Sequence, residues 1–538
     1  MIPLAIMKAS SSLFQKIGFA TFIMMASVFA SRVIGLVRES VIAYQAGAGA
    51  GVDAYQVAFV IPEILNHVVA SGFMSITFIP ILARYINQGK EDEGYKIFSI
   101  IFNGFGLLLL GFIAVTMIWA PFFVRLFAPG LTDPETFDLA VTMTRIIIPA
   151  QYFFFCGGLF SAVQFVKERF FIPALAPLVY NLGIILGGVF LYPKLGMEGF
   201  AWGVLGGAFA GNFLIQWLGA RRAGLKLKWA LDISHPEFKT YILLTLPLMF
   251  GLTMTFSTEI LLKFFGSFLD EGSIAAMNYA LRVMFILVGF FGQAVGTASY
   301  PFMAKIAAKG DMEQLNELIN QAMKFIFLVL PFSVLFMVLR QEIVQVLFQR
   351  GQFDPQATRL TAGVLPFFMA GAFAFAAQTI VSRGFFALQN TLFPALFSSV
   401  CVLASCPVIY GLSQWMGVQG VALGLSLSVI LTTFLLFEAW SRKSGNAGKK
   451  EVYLFFLKLI PLSIAMGAAA MVFRYGWGLV LPDTDLFSAL AVGILTGLGF
   501  LVLLPRAGDF LKIHEIRTLY EKIFQRILPW RKNKPQES

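Results

Sequence analysis

Arginines interrupt stretches that are otherwise apolar, and four of them are the residues of this chain best suited to chemistry. Arg32 and Arg38 lie in SRVIGLVRES, Arg145 in TMTRIIIPAQ and Arg282 in NYALRVMF. A charge at the centre of a hydrocarbon layer costs about 2.5–3.5 kcal/mol on insertion scales, so each must face a cavity or a partner. A planar guanidinium offers a fork of donors that matches phosphate oxygens, which makes a polyanion the ligand class these residues fit. Arg32 and Arg38 are separated by about 9 Å of helical rise and about 240° of turn, so they share a face only if the helix bends, for which Gly35 is placed. Glu39 stands beside Arg38 as an ion-pair partner or a gate residue, and Arg145 is compatible with a structural or a ligand-binding role. Asp53 and Glu63 open the next apolar stretch, Asp53 as a helix cap or a gate residue. Glu259 and Lys263 are spaced and ordered for an intrahelical ion pair and read as structural. His67, His235 and His514 form no metal pattern with Cys or carboxylate, and GxxxxGK[ST] is absent, so neither a metal, a cofactor nor a nucleotide-driven pump is expected.

The elements that must hold these residues are membrane helices. Of 538 residues, 58% are hydrophobic and 13% charged, about half the charged share of an ordinary soluble domain. Cys156, Cys401 and Cys406 all lie in apolar stretches and read as buried or lipid-facing thiols. Long apolar runs give about fourteen spans, near 17–45, 53–82, 98–127, 138–166, 171–192, 196–220, 240–268, 273–304, 322–348, 357–388, 391–415, 417–440, 452–480 and 484–505. Alternate loops collect Arg84, Lys90, Lys96, Lys167, Arg169, Arg221, Arg222, Lys305, Lys309, Arg383, Arg442 and Lys443, whereas the others are Gly-, Asp- and Pro-rich. Positive loops stay in the cytoplasm, which places both termini there and explains the net charge of +11 without nucleic acid.

The chain also repeats itself. At an offset of about 221 residues Pro80 matches Pro301, Gly89 Gly310, Gly130 Gly351, Asp133-Pro134 Asp354-Pro355, and GMEGFAWG matches GVQGVALG. An even number of spans per copy makes the repeats parallel, an architecture that exposes substrate alternately to the two sides of the membrane. The fold expected is an all-α polytopic membrane protein with an N-lobe over 1–230, a C-lobe over 231–447, a helix pair within 448–505 outside the repeat, and a basic amphipathic tail over 506–538 on the cytoplasmic membrane surface.

SRVIGLVRES, GAGAGVDAYQVAFVIPEIL, FIPALAP and SRGFFALQNTLFP together resemble the MurJ/MviN family of lipid II flippases, within the multidrug/oligosaccharidyl-lipid/polysaccharide exporter superfamily. The resemblance implies a flippase of the bacterial inner membrane, with lipid II or a related polyprenyl-linked glycolipid as substrate and membrane lipids and cell-wall synthesis proteins as partners. It further implies that Arg32, Arg38 and Arg282 line the substrate cavity, that Asn181 joins them, that Asp53 matches the family's acidic residue after the first loop, and that the final helix pair lines a groove for the lipid tail. Charges that family members carry are replaced here by Val60, Asn66, His67, Ser71, Leu281 and Asn390. Export of another polyprenyl-linked oligosaccharide, or cation-coupled drug export, therefore stays open as an alternative. Parallel repeats make one topological prediction: cysteines placed in the two Asp-Pro loops, after Gly130 and after Gly351, react with an impermeant maleimide from the outer side in both cases. Opposite sidedness would defeat the parallel arrangement.

Overall fold

The computed structural model describes residues 4–69, 73–243, 257–481, 485–513 and 515–517, and every regular element among them is a helix. The chain divides into two compact units, Met1–Ala275 with Arg350–Phe353, and Ala276–Gln349 with Asp354–Ser538. Among the described residues 10 helices are long and apolar enough to cross a membrane, and they coincide with spans three to five and eight to fourteen. Of the remaining expected spans, the first falls on α1 (Leu4–Ala46). The second is broken after Ala58 into α2 (Ala50–Ala58) and α3 (Val60–Val69), and its remainder falls on α4 (Phe73–Asn87), with residues 70–72 outside the described residues. The break after Ala58 has a local cause: Pro62 has no N–H to offer the Ala58 carbonyl four residues earlier. The sixth is interrupted between α10 (Glu198–Ala208) and α11 (Ile215–Arg222) by a π-helical turn, Phe209–Leu214, and the seventh runs through 244–256, outside the described residues.

In the first unit α5 (Glu91–Ile118), α6 (Ala120–Phe127), α7 (Pro134–Ile147), α8 (Ala150–Val166), α9 (Phe171–Leu195) and α12 (Ser257–Gly266) complete the set used below. Its core is aromatic. Phe98 stacks on Phe102 at 5.8 Å and on Phe160 at 6.2 Å, and Phe102 on Phe155 at 5.9 Å, with Phe155 fully buried. Ring pairs of this kind add about 0.5–1.5 kcal/mol each beyond area burial. On α5, Leu107 and Leu108 stay exposed, which suits a helix whose outer face meets hydrocarbon.

The second unit contains most of α13 (Ser273–Val288), then α14 (Ala294–Ala308), α15 (Met312–Phe327), α16 (Val329–Val338), α17 (Arg340–Phe348), α18 (Pro355–Ala387), α19 (Leu392–Met416), α20 (Val418–Ser444), α21 (Lys449–Val480) and α22 (Leu486–Phe510). Arg383, expected in a loop, lies inside α18, with Nη1 close to Gly296 of α14. The basic tail begins within α22, and its residues 514 and 518–538 lie outside the described residues.

Duplication is written into the turns. Gly196 and Gly417, 221 positions apart in the alignment of the copies, adopt φ +54°, ψ −139° and φ +57°, ψ −130°, a region that only glycine enters at little cost. Asp133 and Asp354 each cap the helix that follows, accepting from Thr136 N at 2.9 Å and Ala357 N at 2.7 Å, with Pro134 and Pro355 at the first helical position. The Thr136 hydroxyl and amide hold the exposed Asp133 carboxyl below the usual carboxylate range. In the first copy the crossing after this turn is made of glycine: a Cβ on Gly183 would stand 2.4 Å from Gly207 Cα, and one on Gly203 would stand 2.8 Å from Gly183 O. Small residues at four-residue spacing let α9 and α10 pack backbone to backbone, the usual glue where lipid removes the hydrophobic drive between helices. Gly203→Val should therefore lower stability by about 1–3 kcal/mol, whereas Gly206→Ala, which meets nothing within 4 Å, should leave the melting temperature in detergent within error. Equal melting temperatures for the two variants would refute the close crossing.

Candidate functional site

Arg38 projects from α1 towards α9. Its Nη2 lies 2.5 Å from Glu39 Oε1, and its Nη1 donates to Asn181 Oδ1 at 3.0 Å. Asn181 in turn donates from Nδ2 to Pro177 O at 2.9 Å and to Ser31 Oγ at 3.5 Å, and Ser27 donates to Ala174 O further along the same interface. Arg38, Glu39 and Asn181 thus form one polar cluster, with the guanidinium held by an anion and an amide. Such charge-assisted hydrogen bonds are worth about 1.5–3 kcal/mol each. Because α1 runs unbroken through Gly35, Arg32 falls on a different face from Arg38, where it is exposed and has no ion pair among the described residues.

A second set of contacts ties helix starts together. Asp53, buried on α2, accepts from Gly272 N and Ala275 N, both at 2.7 Å, and so occupies the open end of α13. Glu271, just before α13, accepts from Ala50 N at 2.9 Å, the first residue of α2. Each helix is capped by a carboxylate from beside the other, which satisfies backbone donors that neither could satisfy internally. Two glycine loops lie close by. Gly130 N donates to Ser267 Oγ at 3.1 Å, and Gln352 N donates to Tyr44 O at 2.9 Å. Cβ atoms on Gly130 and Gly351 would reach 2.4 Å from Ser267 O and 2.3 Å from Tyr44 O, so the equivalent glycines of both copies press on backbone.

Lys263 of α12 is fully buried and donates to Glu63 Oε2 of α3 at 2.6 Å. This cross-element pair was not expected: local spacing pointed to Glu259, on the same helix as Lys263. The signal available in the sequence was a pair of opposite charges in two different apolar stretches, each in need of a partner. Arg145 is exposed on α7, and its Nε donates to Met117 O at 3.0 Å near the C-terminal end of α5, the geometry of a helix C-cap. In the second unit Arg282 lies half-buried on α13, and a second ion pair missed in the sequence joins Arg474 Nε of α21 to Glu342 Oε1 of α17.

Some of the positions where the resemblance implies a charge are buried here. Val60 and Leu281 are 1% and 0% exposed, so a charge at either position would be buried. Asn390 accepts from Phe393 N at 3.1 Å and keeps the capping role that an acid would have at the start of α19. His67 is described only in its backbone, and Ser71 lies outside the described residues.

The family model described as lipid II flippase MurJ matches residues 42–481. The lipid II flippase MurJ of Burkholderia cenocepacia is 28% identical over 492 residues, covering 87% of this chain and 95% of that protein. The probable lipid II flippase MurJ of Thermotoga maritima is 30% identical over 408 residues, with 75% and 81% covered. A solved structure of a lipid II flippase MurJ in an inward closed conformation superposes with a TM-score of 0.74 at 25% identity, covering 91% of this chain and 99% of that one. An inward-facing multidrug transporter of the MATE family shares the fold at a TM-score of 0.65 and 15% identity.

Removing one member of a buried ion pair strands the other charge at a cost of about 3–5 kcal/mol. Lys263→Met alone should therefore destabilise the protein strongly, and adding Glu63→Gln should restore most of the loss, read as melting temperature in detergent. A double variant no more stable than the single one would show that the pair is not coupled.

Proposed function

The chain belongs to the lipid II flippase MurJ family, and from that premise we propose that it moves lipid II, the undecaprenyl-pyrophosphate-linked peptidoglycan precursor, from the cytoplasmic to the outer leaflet by alternating access. It is a multi-pass protein of the bacterial inner membrane and a transporter, not an enzyme. The observation that carries the reading is the family match over residues 42–481, which includes Asp53, Asn181 and Arg282.

Within this reading the arginines divide the work. Arg32, exposed and without an ion pair among the described residues, is free to take up a pyrophosphate oxygen. Arg38, already held by Glu39 and Asn181, presents its remaining N–H groups in a fixed orientation, so less entropy is lost when the head group arrives. Arg282 is the third guanidinium in this reading. Arg145 is left out, because its guanidinium is used on the Met117 carbonyl. Asp53 acts as the gate residue: its two hydrogen bonds to the start of α13 are made in a closed arrangement and would be released on opening. The positive loops support a cytoplasmic position for both termini. The repeats over 1–230 and 231–447 are the moving halves, the pair within 448–505 carries the lipid tail, and the basic segment 506–538 lies on the cytoplasmic surface.

Arg32→Ala and Arg282→Ala should each weaken head-group binding by about tenfold to a hundredfold and fail to restore lipid II export in cells depleted of their own flippase, while inserting at normal levels. Full complementation by either would remove that arginine from the site. Asp53→Ala should raise labelling of a cysteine next to Gly272 by an impermeant reagent added outside. Unchanged labelling would remove Asp53 from the gate.

A further inference from the structure

A cavity of about 530 Å³ opens in the second unit where α16 and α17 meet α21 and α22, lined by Arg340, Gln341, Glu342, Arg474, Tyr475 and Gly478. Its depth follows from α21. Lys458 and Arg474 bracket the apolar middle of that helix, and about 16 residues of rise give about 24 Å, which the reach of both side chains extends to roughly the hydrocarbon thickness. Arg474 therefore stands at the polar boundary of the bilayer, and Tyr475 and Trp477 beside it match the aromatic belt found there. Met471 and Leu479, 61% and 72% exposed, continue the wall of the cavity as an apolar strip facing lipid.

The polar chemistry of the cavity is of two kinds. Arg474 uses Nε on Glu342 Oε1, which leaves the terminal nitrogens of its fork, and Arg340 is exposed with no ion pair among the described residues. These groups suit a phosphodiester. Glu342 is 3% exposed, and its second oxygen, Oε2, takes no hydrogen bond among the described residues. A buried carboxylate oxygen without a donor is costly, and the N–H groups of a primary ammonium would satisfy it. We propose that this cavity binds the headgroup of an aminophospholipid, with phosphate on Arg340 and Arg474, the ammonium on Glu342, and acyl chains along Met471 and Leu479. Only the leaflet rests on the function proposed above, whose topology makes this end of α21 the outer one. The site fastens the final helix pair to α16 and α17 through a lipid in addition to the Arg474–Glu342 ion pair.

The test uses the full-length chain, purified in detergent and stripped of lipid, with bound lipid counted by intact-complex mass spectrometry. Dioleoyl phosphatidylethanolamine should be retained at one high-affinity site. Dioleoyl phosphatidylcholine, whose methylated ammonium has no N–H, and dioleoyl phosphatidylglycerol, which has no cation for Glu342, should bind about tenfold more weakly. Arg340→Ala should lower phosphatidylethanolamine affinity about tenfold. Gly478→Phe, at a position where a Cβ meets nothing within 4 Å, should fill the cavity and abolish high-affinity retention, and both variants should melt as the unaltered protein does. Equal retention of the three lipids, displacement by millimolar inorganic phosphate, or full retention by both variants would overturn the proposal. Because the readout involves neither lipid II nor transport, a chain that bound phosphatidylethanolamine but moved no lipid II would remove the function reading and leave this one standing.

Discussion

Hydrocarbon offers no hydrogen bonds, so each polar group that enters it must bring its own partner. In the helix interiors the backbone meets this demand by itself. At helix starts and at charged side chains it cannot, and those are the places where distant parts of the sequence are brought together. Asp53 and Glu271 each supply the carboxylate that the other's helix lacks, and Lys263 finds Glu63. The same demand explains why Arg38 is enclosed by Glu39 and Asn181. Burying two charges costs more than an apolar pair would, so these contacts are better understood as fixing one arrangement than as adding stability.

The two kinds of helix contact in the first unit differ in how readily they can be remade. The glycine crossing of α9 and α10 is backbone on backbone, with no room for a methyl group at Gly183 or Gly203, and packing so tight resists sliding. The contacts at the start of α2 and α13 are a few hydrogen bonds to backbone N–H groups, which water can replace once the end is exposed. A transporter needs both: helices that move as a body, and ends that let go.

Much of the fold was legible because bilayer thickness sets the length of apolar runs and because a repeat preserves its turns. Gly196, Gly417, Asp133 and Asp354 could be picked out by offset alone, and each adopts the turn or cap its residue type favours. The break in the second span was less visible, although Pro62 was its signal. Pairings were hardest to read. The partner of Lys263 lies 200 residues away, and helical spacing ranks only neighbours on the same helix. Arg145 was ambiguous for a related reason, since the carbonyl it caps belongs to another helix and has no mark in the sequence. Arg38 and Asn181 were identified separately, but their hydrogen bond depends on how α1 crosses α9, which no local pattern contains.

The hydrogen bond from the Ala50 amide to the Glu271 carboxylate spans 221 residues. At a synthesis rate of roughly 5–20 residues per second, the amide at the start of α2 waits about 10–45 s after leaving the ribosome before the acceptor that caps it has been made. During that interval the first half of the chain is in or at the membrane before Glu271, Gly272 and Lys263, which contact Ala50, Asp53 and Glu63, have been made. A nascent chain in that state is a natural client for whatever shields polar groups during insertion, and the arrival of residues 263–275 closes three of its open ends within a few turns of helix.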